Sequence, residues 1–376
     1  MPNTRRMMMA AAGASGGEAT LDGTLWSWGV GTHGQLGHSN TTSLSSPVQI
    51  GSASDWAILT NSSRRGNGVI KSDGTLWVWG QNSYGGILGT SNTTGYSSPV
   101  KVGARTDWVS SANAAYHSLN VTSAGKLYSN GNNYAKGALG HNNNTTHNSP
   151  VQVGSLTDWA MVAAEQYSSA AVKSDGTLWT WGESAAGEGG RGNTTSISSP
   201  VKVGAETNWA AVYMKRVGDI GARKTDGTLW SWGEGSFGQH GNSATSDVSS
   251  PVQVGSDSDW LKMAVGKDFK IGIKTDYSMW SWGLNNNGQL GDNSETNRSS
   301  PVRIGASTDW FNVAANAENT VVAVAKNGTL WSWGRASDGC LGNGNTSTNL
   351  SIPVQVGSDS DWYDVSAGQA HIIALK

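Results

Sequence analysis

The sequence predicts an all-β protein folded as a closed seven-bladed β-propeller with four antiparallel strands in each blade. Three observations support this prediction: a unit of about 51 residues recurs seven times, each unit divides into four short strands, and the two chain ends complement each other. Glycine (51 residues) and tryptophan (19 residues) are abundant, whereas charged residues make up 14% of the chain. This composition is typical of β-proteins with many tight turns and large apolar side chains that pack together.

Three sequence markers recur with the same period. The motif Asp-Gly-Thr-Leu-Trp-Ser-Trp-Gly, first found at residues 22–29, contains an aromatic residue that recurs every 50 or 51 residues. These aromatic residues are Trp26, Trp77, Tyr128, Trp179, Trp230, Trp280 and Trp331. A proline followed by valine marks each unit at Pro47, Pro99, Pro150, Pro200, Pro251, Pro301 and Pro353. A tryptophan after Asp or Asn marks each unit at Trp56, Trp108, Trp159, Trp209, Trp260, Trp310 and Trp362.

Each unit is predicted to form one blade. In Thr-Leu-Trp-Ser-Trp-Gly, apolar and polar residues alternate with the period of a β-strand, which places Trp26 and Trp28 on one face. The preceding Asp-Gly is a strong signal for a hairpin turn. Pro-Val-Gln-Val-Gly predicts a second strand, whose proline belongs at a strand start or edge because it has no N–H to donate. Asp-Trp-Ala-Met-Val-Ala and Ala-Ala-Val-Lys predict the third and fourth strands.

The ends of the chain predict how the ring closes. Residues 373–376 match residues 68–71, which continue through Ser-Asp-Gly into the tryptophan strand. Residues from Thr20 onward supply this continuation for the C-terminal end, so the N- and C-terminal strands should pair within one composite blade. Residues 20–376 are thus predicted to form the propeller, and residues 1–19 a flexible N-terminal tail.

The units resemble those of the regulator-of-chromosome-condensation repeat family. The resemblance rests on segments that follow Trp-x-Trp-Gly, at residues 31–37, 287–291 and 338–342, and on the histidine-containing segment 365–371. It extends over residues 20–376 and implies the seven-bladed propeller fold. The founding members are chromatin-bound nucleotide-exchange factors for a small GTPase, whereas relatives in bacteria and phages are mostly binding or structural modules. The units have constant length and no inserted exchange wedge, which argues against an exchange factor. We expect a bacterial or phage-type member of the family.

Charge and composition argue against several functional classes. The net charge is −2 and the basic residues are scattered, so the basic surface that nucleic acids require is missing. The single cysteine, Cys340, excludes an intrachain disulfide and a multi-cysteine metal site. No apolar run is long enough for a membrane span. No catalytic triad, phosphate loop or calcium loop is recognisable, and we predict a non-enzymatic protein without a cofactor or a metal.

The predicted interaction surface lies where the units differ most, between their third and fourth strands. Equivalent turns emerge on one face of a propeller, so the charged and aromatic residues there should form one ring suited to a protein partner. The candidate partner-binding residues are Arg64, Arg65, Tyr116, His117, Gln166, Tyr167, Lys215, Arg216, Asp219, Lys267, Asp268, Phe269, Glu318, Asn319 and Gln369. Neutral drift at exposed turns is the alternative explanation.

The first hypothesis for function is a phage virion component, such as a tail, fibre or capsid-associated protein, that presents a binding face to other virion proteins or to a cell-surface receptor. An N-terminal tail anchor would comprise Arg5, Arg6, Met7, Met8 and Met9, a stretch that also has features of a signal peptide. Two alternatives stay open: a secreted or surface bacterial adhesin, and a cytoplasmic scaffold or GTPase-regulator-like protein. The first two hypotheses place the protein in a virion or outside the cell. The sequence leaves oligomerisation open.

Overall fold

The computed structural model describes residues 22–60, 64–133, 136–215 and 218–376. These residues form 28 β-strands in seven four-stranded antiparallel sheets, and they contain no helix. Each sheet is one blade of a closed ring. The predicted all-β, seven-bladed propeller is therefore confirmed.

The strands succeed one another in the same way in every blade. The chain begins with β1 (Leu25–Gly29) and β2 (Leu44–Gln49), which belong to blade 7. Blades 1 to 3 contain β3 (Trp56–Leu59), β4 (Gly66–Lys71), β5 (Leu76–Gly80), β6 (Tyr96–Lys101), β7 (Trp108–Asn113), β8 (His117–Thr122), β9 (Leu127–Gly131), β10 (His147–Gln152), β11 (Trp159–Ala164), β12 (Ser168–Lys173), β13 (Leu178–Gly182) and β14 (Ile197–Lys202). Blades 4 and 5 contain β15 (Trp209–Met214), β16 (Asp219–Lys224), β17 (Leu229–Gly233), β18 (Val248–Gln253), β19 (Trp260–Val265), β20 (Phe269–Lys274), β21 (Met279–Gly283) and β22 (Arg298–Arg303). Blade 6 and the rest of blade 7 contain β23 (Trp310–Ala315), β24 (Thr320–Ala325), β25 (Leu330–Gly334), β26 (Leu350–Gln355), β27 (Asp364–Ala367) and β28 (His371–Leu375).

We name the strands of each blade A to D from the central axis outward, so that β3, β4, β5 and β6 are A to D of blade 1. Strand A lies at or just after the tryptophan that follows Asp or Asn, and strand B precedes the Asp-Gly turn. Strand C carries Trp-x-Trp-Gly, and strand D carries the proline. The A strands of adjacent blades contact one another around the axis. At one such contact, the Ala317 N–H donates a hydrogen bond to the Gly368 carbonyl of the next blade.

The two ends of the chain close the ring. Strand β1 runs antiparallel to β28, with Leu25 opposite Leu375 and Gly29 opposite His371. Pairing continues beyond β1, because the Thr24 N–H donates to the Lys376 carbonyl at 2.9 Å. The predicted pairing of N- and C-terminal strands in a composite blade is confirmed. The predicted tail, residues 1–19, lies outside the described residues.

Strand C links each blade to the one before it. The second tryptophan of this strand is fully buried, and its indole N–H donates to a loop carbonyl of the preceding blade, as from Trp28 to Cys340 at 2.8 Å. In blade 2, Asn130 replaces this tryptophan and donates through its amide to the Ile87 carbonyl at 2.9 Å. The same link occurs at all seven interfaces. Burial of the indole therefore costs no hydrogen bond, since the donor finds an acceptor.

Candidate protein-binding face

The turns between strands A and B and the long loops between strands C and D emerge on the same side of the ring, because adjacent strands of a blade are antiparallel. We call this side the upper face. The opposite side, the lower face, carries the Asp-Gly turns between strands B and C and the loops between D and A. Those predicted partner-binding residues that the structure describes lie in the A–B turns, at the end of strand A or at the start of strand B.

A chain of side-chain contacts connects five of the seven A–B turns. The Tyr167 and Tyr116 rings stack with their centroids 5.2 Å apart. Burial raises the pKa of the Tyr116 hydroxyl, and the Arg64 side chain lies close enough to lower it against this rise. Arg64 Nε donates to Gln369 Oε1 at 2.7 Å. Gln369 Nε2 then donates to Glu318 Oε1 at 2.6 Å. These five residues, which we call the upper arc, were all predicted from the sequence, and the structure brings them together from blades 3, 2, 1, 7 and 6.

Two residues of the long C–D loops extend the upper arc and were missed from the sequence. The Tyr84 ring packs edge-on against Tyr116, with centroids 5.2 Å apart, and is 36% exposed. At the other end, Arg335 Nη1 donates to Glu318 Oε2 at 2.7 Å. Differences between the units in the C–D loops could have marked both residues as candidates, but not their contacts with the A–B turns.

Charges on the upper face are divided between two sectors. On the blade 7 and blade 1 side, the pKa of His33 is lowered mainly by partial burial. The positive charges of Arg65 and Arg64 lower it further. On the blade 4 and blade 5 side, the pKa of Glu234 is raised mainly by partial burial. The negative charge of Asp268 raises it further. The middle of the upper arc, at Arg64, therefore lies in a basic sector, and an acidic sector lies across the axis from it.

Four predicted partner-binding residues are corrected by the structure. His117, Asp219, Phe269 and Asn319 are buried, with exposures of 0%, 1%, 0% and 8%. The first three each begin a B strand and point into the interface with the next blade. The prediction assigned these positions to the turn, but a strand turns successive side chains to opposite faces, so they cannot reach a partner.

The buried residues form pairs that differ from one blade interface to the next. His117 Nε2 lies 2.7 Å from Ser169 Oγ, and His371 Nε2 lies 2.9 Å from Asn67 Oδ1. Burial lowers the pKa of both histidines to about 3, so both rings are neutral. Nδ1 of each ring has no hydrogen-bond partner among the described residues. Protonation would therefore bury a charge and leave a donor unsatisfied.

At the interface of blades 4 and 5, the pair is ionic. Asp219 contacts Lys270, whose ammonium also donates to Ser231 Oγ at 2.7 Å and to the Gln239 carbonyl at 2.9 Å. Burial raises the pKa of Asp219 to about 7, and the attraction of Lys270 opposes this rise. Desolvation offsets much of the attraction in such a pair, so its main effect is to distinguish this interface from the others.

Two charged residues near the axis occupy a position where other blades have Ala114, Gly266 or Gly368. Lys215, one of the predicted residues, donates from Nζ to the Ala367 carbonyl of blade 7, and burial lowers its pKa to about 7. Glu165, which was missed, is 2% exposed and accepts the Gly218 N–H at 3.1 Å. Burial raises the pKa of Glu165 to about 8. A charged residue at a position held by alanine or glycine in blades 2, 5 and 7 is the signal that could have identified Glu165.

The remaining predicted residues divide into two groups. Gln166, Lys267 and Asp268 are half-buried at their turns, and Arg65 Nη1 donates to Gln81 Oε1 at 3.3 Å. Arg216 and the predicted anchor residues Arg5, Arg6, Met7, Met8 and Met9 lie outside the described residues. Over the described ranges, no three His, Cys, Asp or Glu side chains are grouped so that they could hold a metal ion. The described part of the chain also lacks any helix with the length and apolarity to cross a bilayer.

The lower face carries a repeated lysine slot that the sequence analysis missed. In blade 4, Lys224 Nζ lies 4.8 Å from the centroid of the Trp209 ring, 3.8 Å from that of Trp230 and 2.8 Å from a Glu206 carboxylate oxygen. This is a cation–π arrangement closed by an acidic residue. The equivalent lysines in blades 1, 3, 5 and 7 are Lys71, Lys173, Lys274 and Lys376. A lysine at a constant sequence separation from the Trp-x-Trp-Gly motif is the signal that could have identified this slot.

Comparison with known proteins agrees with this architecture. Residues 22–59, 226–272, 278–323 and 327–375 match the family profile described as Regulator of chromosome condensation (RCC1) repeat. These four segments carry RCC1 repeats. This match supports the family resemblance, but the expected bacterial or phage-type origin finds no support, because similar proteins come from human, yeast and Arabidopsis thaliana.

Similar sequences occur within longer proteins. Human E3 ubiquitin-protein ligase HERC2 is 28% identical over 254 residues, which are 64% of this chain and 5% of HERC2. The Ultraviolet-B receptor UVR8 of Arabidopsis thaliana is 30% identical over 186 residues, which are 47% of this chain and 42% of UVR8. The chain thus matches less than half the length of either relative.

Solved structures share the fold. Yeast RCC1 (Prp20), crystallised with Kap60, superposes with a TM-score of 0.85 and 19% identity over 95% of this chain and 89% of that chain. Human WBSCR16 superposes with a TM-score of 0.81 and 20% identity over 94% of this chain and 98% of that chain. At this level of identity the likeness establishes the propeller fold.

Proposed function

We propose that the chain is a non-enzymatic protein-binding propeller of the scaffold or regulator type, which acts inside the cell and docks a protein partner on its upper face. The observation that carries this proposal is the upper arc, in which Tyr167, Tyr116, Arg64, Gln369 and Glu318 form one connected surface across five blades. The proposal takes up the third hypothesis from the sequence and sets it above the virion component and the adhesin.

The chemistry of the upper arc suits a protein partner. Tyrosine and arginine are enriched at protein interfaces and among the residues that contribute most to binding. Stacking of Tyr116 on Tyr167 and hydrogen bonding of Arg64 fix these side chains before a partner arrives, so little conformational entropy is lost on docking. The neighbouring basic and acidic sectors would orient a partner of complementary charge during encounter.

The relatives favour a regulator over a particle protein. Yeast Prp20 was crystallised with Kap60, and a second structure of Prp20p is described together with its binding properties to Gsp1p and histones. HERC2 is a ubiquitin-protein ligase and UVR8 is a receptor. None of these names points to a virion or to an adhesin. The partner of this chain does not follow from them, since the chain matches only part of HERC2 and UVR8 and shares only the fold with Prp20.

Site-specific photo-crosslinking tests the proposal. Tyr84 and Tyr167 are replaced singly by p-benzoylphenylalanine, a conservative change at two upper-face rings, in cells that produce the chain. Leu156, which is 45% exposed in a D–A loop of the lower face, receives the same crosslinker as the matched control. We expect one protein to be captured from both tyrosine positions and not from Leu156. Arg64→Glu should reduce its capture by at least about fivefold, as loss of an important interface contact does.

The captured protein decides between the hypotheses. Capture of a cytoplasmic, nuclear or organellar protein supports the scaffold or regulator function, whereas a particle protein would restore the virion hypothesis. Equal capture from Leu156, or no capture from either tyrosine position, contradicts an upper-face docking site.

A further inference from the structure

We propose that the lower face of blade 6 carries an open slot that binds the ammonium group of a lysine side chain from another protein. The slot is formed by Trp310, Trp331 and Asp309. It lacks a cation of its own because strand B of blade 6 ends in Ala325, where five other blades have the lysine that fills their own slot. This inference concerns the face opposite the upper arc and is independent of the proposed function.

The aromatic walls of the blade 6 slot keep the geometry of the filled slots. The Trp310 and Trp331 rings lie 5.8 Å apart at an angle of 81°. In the five blades with a lysine, the corresponding pairs lie 5.5–6.5 Å apart at angles of 72–82°. The walls are therefore positioned for a cation although, among the described residues, no lysine or arginine lies over either ring.

The acidic wall is also present in blade 6. Asp309 directly precedes Trp310, the position held by Asp158 in blade 3 and by Asp259 in blade 5. Those two carboxylates lie 3.3 Å and 3.1 Å from the ammonium nitrogen of the lysine in their slots. Asp309 is exposed, and among the described residues no cation pairs with it. The slot thus retains a negative charge whose usual partner is missing.

Blade 2 demonstrates that the cation need not come from strand B. Its strand B ends in Thr122, and the slot is filled by Arg105 of the exposed D–A loop. The Arg105 guanidinium carbon lies 5.5 Å from the Trp108 ring and 4.9 Å from the Tyr128 ring. A slot of this type can therefore accept a cation that approaches from the solvent side.

Blade 6 has no such substitute. The residue equivalent to Arg105 is Ser307, which cannot supply a charge. Lys326, next to Ala325, places its ammonium over the Tyr277 ring of blade 5 instead. The lysines in filled slots are 6–17% exposed, which shows that the ammonium position borders solvent.

The test uses a small lysine probe and the indole N–H signals of isotope-labelled protein, assigned by Trp310→Phe and Trp331→Phe. Nα-acetyl-lysine methylamide is titrated against Nα-acetyl-norleucine methylamide, which has the same stem without the charge. We expect the lysine probe to shift the Trp331 signal, and to bind roughly threefold or more tightly than the norleucine probe, as a cation–π contact predicts. The trimethylated lysine probe distinguishes a modified from an unmodified lysine as the natural ligand.

Three variants control the experiment. Ala325→Lys should fill the slot from within and abolish the shift, and Asp309→Asn, an exposed substitution that leaves the core intact, should weaken binding. Lys224→Ala should open the blade 4 slot and create a second binding event at Trp230, while far-UV circular dichroism stays unchanged. No shift with either lysine probe, or equal shifts with the norleucine probe, would overturn the proposal.

Discussion

Single buried residues distinguish the blade interfaces from one another. His117 meets Ser169, Asp219 meets Lys270, and the His371–Asn67 pair joins the last blade to the first. A histidine or an ion placed against the wrong blade would be buried without its partner, at a cost of several kcal/mol. Such pairs oppose misassembly of repeats whose other residues are nearly alike.

The buried histidines predict a loss of stability in acid. Their pKa is about 3 in the folded protein and 6.5 ordinarily, so between these values the unfolded chain binds more protons. The contribution of the neutral rings to the free energy of unfolding is complete above pH 6.5 and is lost as the pH falls below that value. From about pH 8 to about pH 5, each should cost about 2 kcal/mol of the free energy of unfolding.

Urea denaturation at the two pH values checks this prediction. His371→Gln should reduce the acid-induced loss by about 2 kcal/mol, and the double variant with His117→Gln by about 4 kcal/mol, because the sites are far apart and their effects add. An unchanged pH dependence in the double variant would show that the two rings do not titrate as their burial requires.

At the scale of a strand, the end of strand C depends on glycine. The pairing of β5 with β6 shifts register between Val78 and Gly80, and Gly80 has a φ of 106°. A β-carbon on Gly80 would overlap the Arg65 carbonyl oxygen and approach Gly66 Cα to 2.7 Å. The final glycine of Trp-x-Trp-Gly therefore lets strand C run close to the A–B turn while strand D departs from it.

Gly80→Ala should destabilise the protein by about 3 kcal/mol or more, because it combines strain from positive φ with a clash against backbone. Gly103 provides the matched control: it also has a positive φ, of 56°, but no described atom lies within 4 Å of the position of an added β-carbon. Gly103→Ala should cost only about 1 kcal/mol, the conformational part alone. Equal free energies of unfolding for the two variants would contradict the close approach at Gly80.

At the scale of the molecule, the ring depends on the composite blade. Strands β27 and β28 come from one end of the chain, and β1 and β2 come from the other. In blade 1, one serine separates Lys71 from the Asp-Gly of the turn, and the same turn would form if one serine joined Lys376 to Asp22. The ends of β28 and β1 thus lie at a position where every other blade has a short hairpin between strands B and C.

A circular permutant tests this description. We expect a chain with Ser between Lys376 and Asp22, without residues 1–21 and with new ends between Ser174 and Asp175, to keep the native circular dichroism spectrum. Its unfolding midpoint should stay within about 5 °C of the parent, since the cut moves from one exposed hairpin to another. Removal of residues 22–49 is the contrasting variant, because it exposes the edge of β28 and should cause aggregation or loss of cooperative unfolding. A permutant that fails to fold would contradict the equivalence of the two turns.

The site was less predictable than the fold. The A–B turns were identified because the units differ there, and five predicted residues do form the upper arc. His117, Asp219 and Phe269 were misplaced because the exact start of strand B decides whether a side chain faces solvent or the next blade. Tyr84 and Arg335 lie in C–D loops and contact residues of A–B turns. They were missed because the sequence does not show which loop packs against which turn. The sequence shows Ala325 in place of lysine, but not that two rings and a carboxylate surround this position.

The fold was determined by the sequence itself, because period, strand alternation and complementary ends are properties of the order of residues and require no knowledge of contacts. Seven units of one length, with matching ends, are enough to define a closed ring. Only the tertiary structure decided which side chains from different blades meet, as in the upper arc and at each interface pair. The physical reason is that these contacts join residues about 50 to 300 positions apart, and their geometry exists only after the blades have packed against one another.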